Sequence, residues 1–567
     1  MTQRHLGKLD DALLLGIMTI LAGCGLIYEY LLSHYAGRIL GAMEAAIFTM
    51  IGLMIVSMGL GAFAARKVRC AFSGFAVLEL SVAILGSIAI LLTAAIIGAT
   101  QILPSLIADT YGLPQEMAPS GGLLATAQKW AQYLPYVWGV ILGWLIGMEI
   151  PLIARVRQDL ASEHLKHNAG TIYGADYIGA GIGAAIWVIW MLTIDTQTAA
   201  AMTATVNLIA GLVFLWRYWS YIRRPRLLLL GHGLAAILLA TLALQGPDWQ
   251  RQFNNLLYQD KVVFQQATRF QQMVLTERQM GAQTNTVYSL YLNGRLQFSS
   301  QDEHVYHSFL VHPAMAASPR HDNILIIGGG DGLALKQVLK WQPKQVTLMD
   351  LDQQLVNTFA HPERYFSIGV AKAITHLTGD ALNDPRAKVI YADAFNGADD
   401  LIRQQRFYDT IIVDLPDPSH PDINKVYSDQ FYAKLKHLLN ADGVIAVQST
   451  SPYHARKAFI SVAKTLDAAG FSAVQQYHHN VPSFGEWGWS IATKTGPSPQ
   501  QRLSALSEWP KINEAWLTLD MVHASFAFPG DFYWDKQAIK VNHFGSNQLY
   551  QYHQQAWAKG QGLNFNE

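Results

Sequence analysis

A chain of 567 residues, 51% hydrophobic and only 14% charged, exceeds one ordinary domain and is too apolar to be wholly soluble. Its 41 basic and 41 acidic residues balance, which removes any bulk electrostatic case for a nucleic-acid partner. The two cysteines, Cys24 and Cys70, fall in or beside apolar runs and define neither a disulfide framework nor a cysteine metal site.

The apolar excess lies between residues 11 and 247, and charge returns from about residue 255. Seven runs approach the ~20 residues needed to cross ~30 Å of hydrocarbon. They centre on Leu13–Leu32, Ala42–Ala64, Phe75–Ala99, Tyr133–Ile153, Ile172–Ile194, Ala199–Trp216 and Leu227–Leu244. Arg4 and Lys8, then Arg66, Lys67 and Arg69, then Arg155, Arg157 and Lys166, then Arg223, Arg224 and Arg226 occupy alternate loops, against only Arg38 and Lys129 in the others. Basic loops stay cytoplasmic. An odd number of spans therefore predicts a multi-pass protein of the inner (plasma) membrane, with its amino terminus inside and its soluble part on the opposite face.

Glu29, Glu44, Glu79, Glu149 and Asp176 interrupt or border these runs, where a charge is costly enough to suggest function. In Gly147-Met-Glu-Ile-Pro151 the proline frees a backbone carbonyl a turn earlier. The carboxylate beside that break either holds a cation or stays neutral and hydrogen-bonded. Gly174, Gly179, Gly181 and Gly183 are read as positions of close helix packing.

Beyond the last run, Arg269–Leu275 and Tyr288–Gln297 alternate as strands, with Asn293-Gly294 as a hairpin turn, so a small antiparallel sheet is predicted first. Asp302 then opens a helix. Ile324–Ile327 followed by Gly328-Gly-Gly-Asp-Gly332 reads as strand, glycine turn and helix, a place where a cofactor meets backbone N–H groups. The next strand ends in Asp350 and Asp352, the third delivers Asp393, and the fourth, Thr410–Val413, delivers Asp414. Four successive acidic strand ends predict a nucleoside-binding, doubly wound α/β domain. Asp331 inside the glycine turn would repel the pyrophosphate of a dinucleotide but welcome a nucleoside carrying a positive group. A sulfonium such as S-adenosylmethionine or its decarboxylated form meets that demand.

Asp414-Leu-Pro-Asp-Pro418 sets two carboxylates three residues apart on a proline-stiffened loop. An alkyl amine of pKa about 10 must lose a proton to attack, at a cost of roughly 4 kcal/mol at neutrality. A carboxylate can recruit the ammonium and accept that proton. Alignment of amine and electrophile can supply up to about 7–11 kcal/mol more.

As an ordered set, Phe270-Gln271, Leu292–Gln297, Asp302-Glu303 with Tyr306-His307, Gly328–Gly332, Asp350–Asp352, Asp393-Ala394, Asp414–Pro418, Tyr427–Tyr432, Gln448 and Val481–Gly485 resemble the polyamine aminopropyltransferases (spermidine synthases) over about residues 265–495. Ile27–Tyr30 and Gly147–Pro151 resemble the amino-terminal half of the membrane-integrated bacterial members. The resemblance implies transfer of an aminopropyl group from decarboxylated S-adenosylmethionine to putrescine or a related polyamine, with release of 5′-methylthioadenosine. It implies Asp414 as the base with Tyr306 beside it, and Asp417, Gln448 and Phe484 as acceptor contacts. Gln271, Gly328, Gly330, Asp350, Asp393 and Ala394 would hold the nucleoside, while Asp331 faces the aminopropyl ammonium and Gln297 helps to position it.

Four departures from the family pattern leave the nucleoside site intact in outline and open the identity of the acceptor: Ser419-His-Pro421 lacks a glycine before its proline, Ser308 replaces a Glu, Phe484 replaces a Tyr, and Asp350 is shorter than a Glu. A longer polyamine, or an amine presented from the membrane, stays open beside putrescine. The expected organisation is an α-helical transmembrane domain over residues 1–250, a Rossmann-like catalytic domain with its small sheet over 251–497, and a carboxyl-terminal extension over 498–567. The extension, aromatic and polar by turns, is read as packing on the catalytic domain or the bilayer surface. Expected partners are a small polyamine and the lipid bilayer, with a homodimer as a candidate assembly and no metal. His164 with His167, and His478 with His479, lack convergent acid or cysteine partners for a metal. Two rival functions remain at this level: a membrane polyamine transporter or sensor whose soluble domain binds without turnover, and an S-adenosylmethionine-dependent methyltransferase, disfavoured by the paired acids at Asp414 and Asp417.

Overall fold

The computed structural model describes residues 7–40, 43–111, 122–161, 168–258, 260–280, 285–512 and 516–560. Lys166, His164 and His167 lie outside them, as do the side chains of Lys8, Arg38 and Glu44. The chain forms two compact units, Met1–Val262 and Val263–Glu567.

The first unit is helical: α1 (Lys8–Leu40), α2 (Met43–Ala64), α3 (Ala71–Thr110), α4 (Gly122–Ala131), α5 (Leu134–Ile146), α6 (Glu149–Leu160), α7 (Asn168–Ile189), α8 (Thr196–Arg217) and α9 (Pro225–Tyr258). Seven helical stretches among the described residues are long and apolar enough to cross a membrane, one of them running through both α5 and α6. Phe63, Ile189, Trp216, Leu234 and Leu244 are exposed, so the unit is apolar outside as well as within. Gly179 and Gly183 do mark a close approach: a Cβ on the first would strike the Thr19 carbonyl, and one on the second would lie 2.8 Å from Gly23 Cα. Gly174 and Gly181 face open space, so only half of that glycine series packs.

One end of this unit is tied by charge. Arg157 donates to Asp11 Oδ1 at 2.8 Å and to Asn168 Oδ1 at 2.7 Å, Arg217 pairs with Asp10, and Arg155 donates to the Val68 carbonyl at 2.8 Å. Deep between the helices, Asn207 donates to Glu79 Oε2 at 2.8 Å. Glu149 is buried immediately after the break between α5 and α6, and its Oε2 has no hydrogen-bond partner among the described residues.

The second unit begins with an antiparallel sheet in the order β1 (Lys261–Ala267), β2 (Gln272–Met280), β3 (Asn285–Leu292) and β4 (Arg295–Ser299). Asn293 at φ 50° and Gly294 at φ 78° close the last hairpin with the left-handed backbone that this dipeptide tolerates. Then follow α10 (Glu303–Ala317), β5 (Asn323–Gly328), α11 (Leu333–Leu339), β6 (Gln345–Asp350), α12 (Gln353–Ala360), α13 (Pro362–Tyr365), α14 (Ile368–Thr378), β7 (Ala387–Tyr391), α15 (Ala394–Arg403) and β8 (Tyr408–Asp414). The unit ends with α16 (Asp429–Leu438), β9 (Leu439–Gln448), α17 (Arg456–Ala468), β10 (Ala473–Val481), β11 (Gly485–Thr493), α18 (Pro499–Ser504), α19 (Leu519–Ala524) and α20 (Gln548–Gly560).

Strands β5 to β11 form one seven-stranded sheet in the order β10-β11-β9-β8-β5-β6-β7. β5 through β9 run parallel, and β11 lies antiparallel to both β9 and β10. Ile324–Ile327 and Ile411–Val413 are fully buried, as parallel strands covered on both faces must be. The strand order reverses between β5 and β8, and a crevice opens at their carboxyl ends. Gly328 stands level with Asp414 there.

Residues beyond 498 pack on this same unit. Ile539 joins Phe459 and Ile460 in one apolar cluster, with Phe528, Phe532 and Tyr533 against it. Buried Asn542 donates to the carbonyls of Asn424 and Tyr427 at 3.0 and 3.1 Å.

Candidate active site

The reversal point fixes the site because two strand ends turn apart there. Gly328 (φ 80°), Gly329 (φ 66°) and Gly332 (φ 82°) carry the turn from β5 into α11 through left-handed backbone. A Cβ on Gly328 would collide with the Asp414 carbonyl, and one on Gly330 would lie 2.8 Å from Asp350 Oδ2. Only glycine lets these strands carry acids so close to the turn.

At the end of β8, the Tyr306 hydroxyl donates to Asp414 Oδ1 at 2.9 Å, and His307 Nε2 lies 3.9 Å from Asp414 Oδ2. Both partners come from α10, whose start is fixed by Asp302: its carboxylate accepts from the Ser483 amide at 2.6 Å and hydroxyl at 2.9 Å. His307 Nδ1 sits 3.0 Å from Glu303 Oε2 one helical turn earlier, and Lys336 Nζ lies 3.2 Å from Glu303 Oε1. Lysine, glutamate, histidine and aspartate thus form an alternating chain that runs from half-buried Lys336 inward and ends on Asp414.

Burial opposes charge on His307, but hydrogen bonding and attraction from Glu303, with attraction from Asp414 and Asp331, outweigh it and hold the imidazolium up to about 9. Burial also raises the Asp414 carboxyl, while the positive His307 and the Tyr306 hydroxyl pull it back. Asp331 is pushed up to about 6, first by burial and then by repulsion from Asp414 and Glu303, against the pull of His307 and of the Leu333 amide. That amide donates to Asp331 Oδ1 at 2.9 Å, so Asp331 is held at the start of α11 beside the other acids.

At the end of β6, Asp350 accepts from the Gly330 amide at 3.1 Å and the Asp352 amide at 2.8 Å, and burial raises its carboxyl to about 6. Each oxygen keeps a second lone pair for a donor such as a ribose hydroxyl. Asp352 caps α12 and receives Thr268 Oγ1 at 2.7 Å and Gln271 Nε2 at 3.0 Å, which ties the β1–β2 turn to the start of α12. Asp393 caps α15, whose first residue is Ala394, and its other oxygen pairs with Lys425 at 2.7 Å. Gln297 lies on β4, half-buried.

On the other side of Asp414, Asp417 Oδ1 accepts from Gln448 Nε2 at 3.3 Å, and its Oδ2 lies 3.2 Å from both Thr450 Oγ1 and His553 Nε2. Gln448 is buried at the end of β9 and also donates to the Tyr427 hydroxyl at 2.6 Å. Phe484 meets the Tyr306 ring edge-on at 5.8 Å and tilts against Trp487 at 5.1 Å, giving this side an aromatic wall.

Of the acids singled out from the sequence, Asp350, Asp393 and Asp414 stand at the carboxyl ends of β6, β7 and β8, Asp331 in the glycine turn and Asp417 on the loop after β8, with Tyr306, Gln448 and Phe484 on the Asp414 side; Glu79, Glu149 and Asp176 belong to the helical unit. Sequence reasoning missed the charge relay through Glu303, His307 and Lys336, although the i, i+4 spacing of Glu303 and His307 on a helix was there to be read. It also missed Thr450 and His553, for which local sequence holds no signal. His478, paired with Glu486, and His479, stacked on Phe309 at 4.4 Å, are structural, and no cluster suited to a metal occurs among the described residues.

A match to the family described as "Spermine/spermidine synthase domain" spans residues 303–503. A curated polyamine aminopropyltransferase of Shewanella oneidensis is 66% identical over 99% of this chain and 97% of its own length. Polyamine aminopropyltransferase 1 of Streptomyces coelicolor is 33% identical over 92% of this chain and 90% of its own. Among solved structures, a spermidine synthase in complex with the transition-state analogue AdoDATO superposes with a TM-score of 0.41 at 22% identity, covering 49% of this chain and 88% of that one. With relatives this similar along nearly its whole length, the chain belongs to the polyamine aminopropyltransferase family.

Proposed function

We propose that the second unit transfers the aminopropyl group of decarboxylated S-adenosylmethionine to putrescine or a related polyamine, releasing 5′-methylthioadenosine. The observation that carries this reading is the placement of Asp331, Asp414 and Asp417 along one crevice, with a cationic His307 between Glu303 and Asp414. Both substrates are polycations, and acids in a desolvated site attract them far more strongly than acids in water.

In this reading Asp350, Gln271, Asp393, Ala394 and the turn at Gly328 and Gly330 hold the nucleoside. Asp331 faces the ammonium of the aminopropyl chain, helped by Gln297. Asp417, with Gln448 and Phe484, takes the acceptor. Asp414 draws a proton from the attacking amine as its nitrogen bonds to the carbon next to sulfur. The carbon–sulfur bond breaks with its electron pair left on sulfur, which becomes neutral. Tyr306 orients the Asp414 carboxylate through its 2.9 Å hydrogen bond, and His307 pulls its carboxyl down against the rise that burial imposes. Burial favours the protonated acid, and the positive His307 with the Tyr306 hydroxyl opposes it.

In the same reading residues 1–250 cross the inner membrane with the amino terminus inside, residues 251–497 catalyse, and residues 498–567 complete the catalytic unit. The alternating basic loops and the seven apolar helical stretches support it. Methylthioadenosine release from purified full-length protein, measured with decarboxylated and with intact S-adenosylmethionine across several amines, tests the reaction. Methyl transfer from the intact cofactor, or binding with no product, would overturn it.

A further inference from the structure

Asp417, the carboxylate assigned above to the acceptor, is largely covered, its side chain 14% exposed. Its Oδ2 lies 3.2 Å from His553 Nε2, and His553 is 2% exposed. His553 sits on α20, outside the region that resembles soluble spermidine synthases, yet that helix is firmly seated. Leu549 one turn earlier is fully buried in the same apolar cluster as Tyr427 and Phe431. Asn542 Oδ1 accepts from the Leu549 amide at 3.3 Å while its amide group binds the loop beyond the two acids. The Tyr550 amide donates to Asn424 Oδ1 at 3.2 Å. From β4, Arg295 stands within electrostatic range of both Asp417 and Tyr550.

We propose that His553 is a specificity-determining residue for the acceptor: it closes the far end of the acceptor subsite and restricts transfer to a short diamine. This rests on the reading of Asp417 as the acceptor carboxylate. A diamine places one nitrogen at Asp414 and the other at Asp417, and its chain ends there. A triamine would carry a further ammonium past Asp417 into the space held by the His553 ring, with the Arg295 guanidinium nearby. Bulk and like charge both reject it, which is selection by an unfavourable contact against the wrong substrate. The Nε2–H of His553 also helps to orient Asp417 for the diamine, alongside Gln448 and Thr450.

The test uses the full-length protein, with putrescine and spermidine as acceptors and methylthioadenosine release as readout. H553A should raise the putrescine KM about three- to tenfold, the range of a single hydrogen bond. The KM for decarboxylated S-adenosylmethionine should stay constant, and the spermidine-to-putrescine ratio of kcat/KM should rise about tenfold. H553Q, which keeps a nitrogen donor, should restore most of the putrescine KM, and Q554A, an exposed neighbour on the same helix, should change neither value. An unchanged acceptor ratio in H553A of wild-type Tm would overturn the inference. Should H553A lose its fold, the comparison of H553Q with H553L decides the same point, and equal acceptor profiles would overturn it. D417N separates the two levels: an unaltered acceptor KM there removes the assignment of Asp417 itself, whereas a raised one with an unchanged H553A ratio removes only the role of His553.

Discussion

Replacing Asp414 by Asn leaves its shape and its contact with Tyr306 but removes the proton acceptor that we propose. The expected outcome is a fall in kcat of about 10²–10⁴, the usual worth of a positioned base, with binding of the nucleoside product preserved. Single-turnover kinetics beside equilibrium binding of methylthioadenosine checks it, and near-normal kcat would remove the base. Asp331 and His307 make a linked statement about pH. If Asp331 faces the aminopropyl ammonium as we propose, its carboxyl near 6 must be ionised to hold it, so kcat/KM for decarboxylated S-adenosylmethionine should rise as pH passes about 6. His307 lowers both Asp331 and Asp414, so His307→Gln should move that limb to higher pH; a fixed limb would contradict the relay. Stability has its own sign. His307 is raised to about 9 in the folded chain, so its contribution is complete below the unfolded value of ~6.5 and is lost as pH rises through about 9. Tm against pH should show that loss in the wild type and not in His307→Gln.

At the scale of elements, the turn from β5 into α11 couples the fold to the chemistry. Gly330→Ala sets a methyl 2.8 Å from Asp350 Oδ2, which must swing away from the crevice. We expect the KM for decarboxylated S-adenosylmethionine to rise about tenfold or more with the acceptor KM little changed, since a loss of 1.4 kcal/mol is tenfold in binding. Equal KM values would show that Asp350 does not hold the nucleoside. α10 matters as much, because Glu303, Tyr306 and His307 all come from its first turns. Glu303→Ala leaves His307 buried without its carboxylate and Lys336, half-buried, without its ion-pair partner. Breaking a buried pair in this way costs about 3–5 kcal/mol, which a thermal melt would register. The strand ends and the glycine turn were legible from sequence because they are local: an apolar run, then residues with one backbone demand. The relay was harder to read, since Glu303–His307 is local but its meeting with Asp414 is made by packing α10 across the sheet.

For the whole molecule, the orientation read from the basic loops predicts that protease added to right-side-out inner-membrane vesicles cuts within Val263–Glu567 and spares the loop at Arg223–Arg226. Protection of the second unit would reverse the assignment. Two of the cations that set this orientation, Arg155 and Arg157, do not simply face solvent: Arg157 pairs with Asp11, as Arg217 does with Asp10, and Arg155 binds the Val68 carbonyl, which gathers the helix ends at one end of the unit. The sequence by itself determined which segments are apolar enough to span, which strands end in acids, and which chemistry those acids suit, because hydropathy, period and turn preference are properties of neighbouring residues. Tertiary structure alone decided that His307 is held positive beside Asp414, that Asp350 is locked by the glycine turn, and that a histidine 136 positions away meets Asp417. Those contacts join residues remote along the chain, and only the packed interior, where each buried charge must find a partner, brings them together.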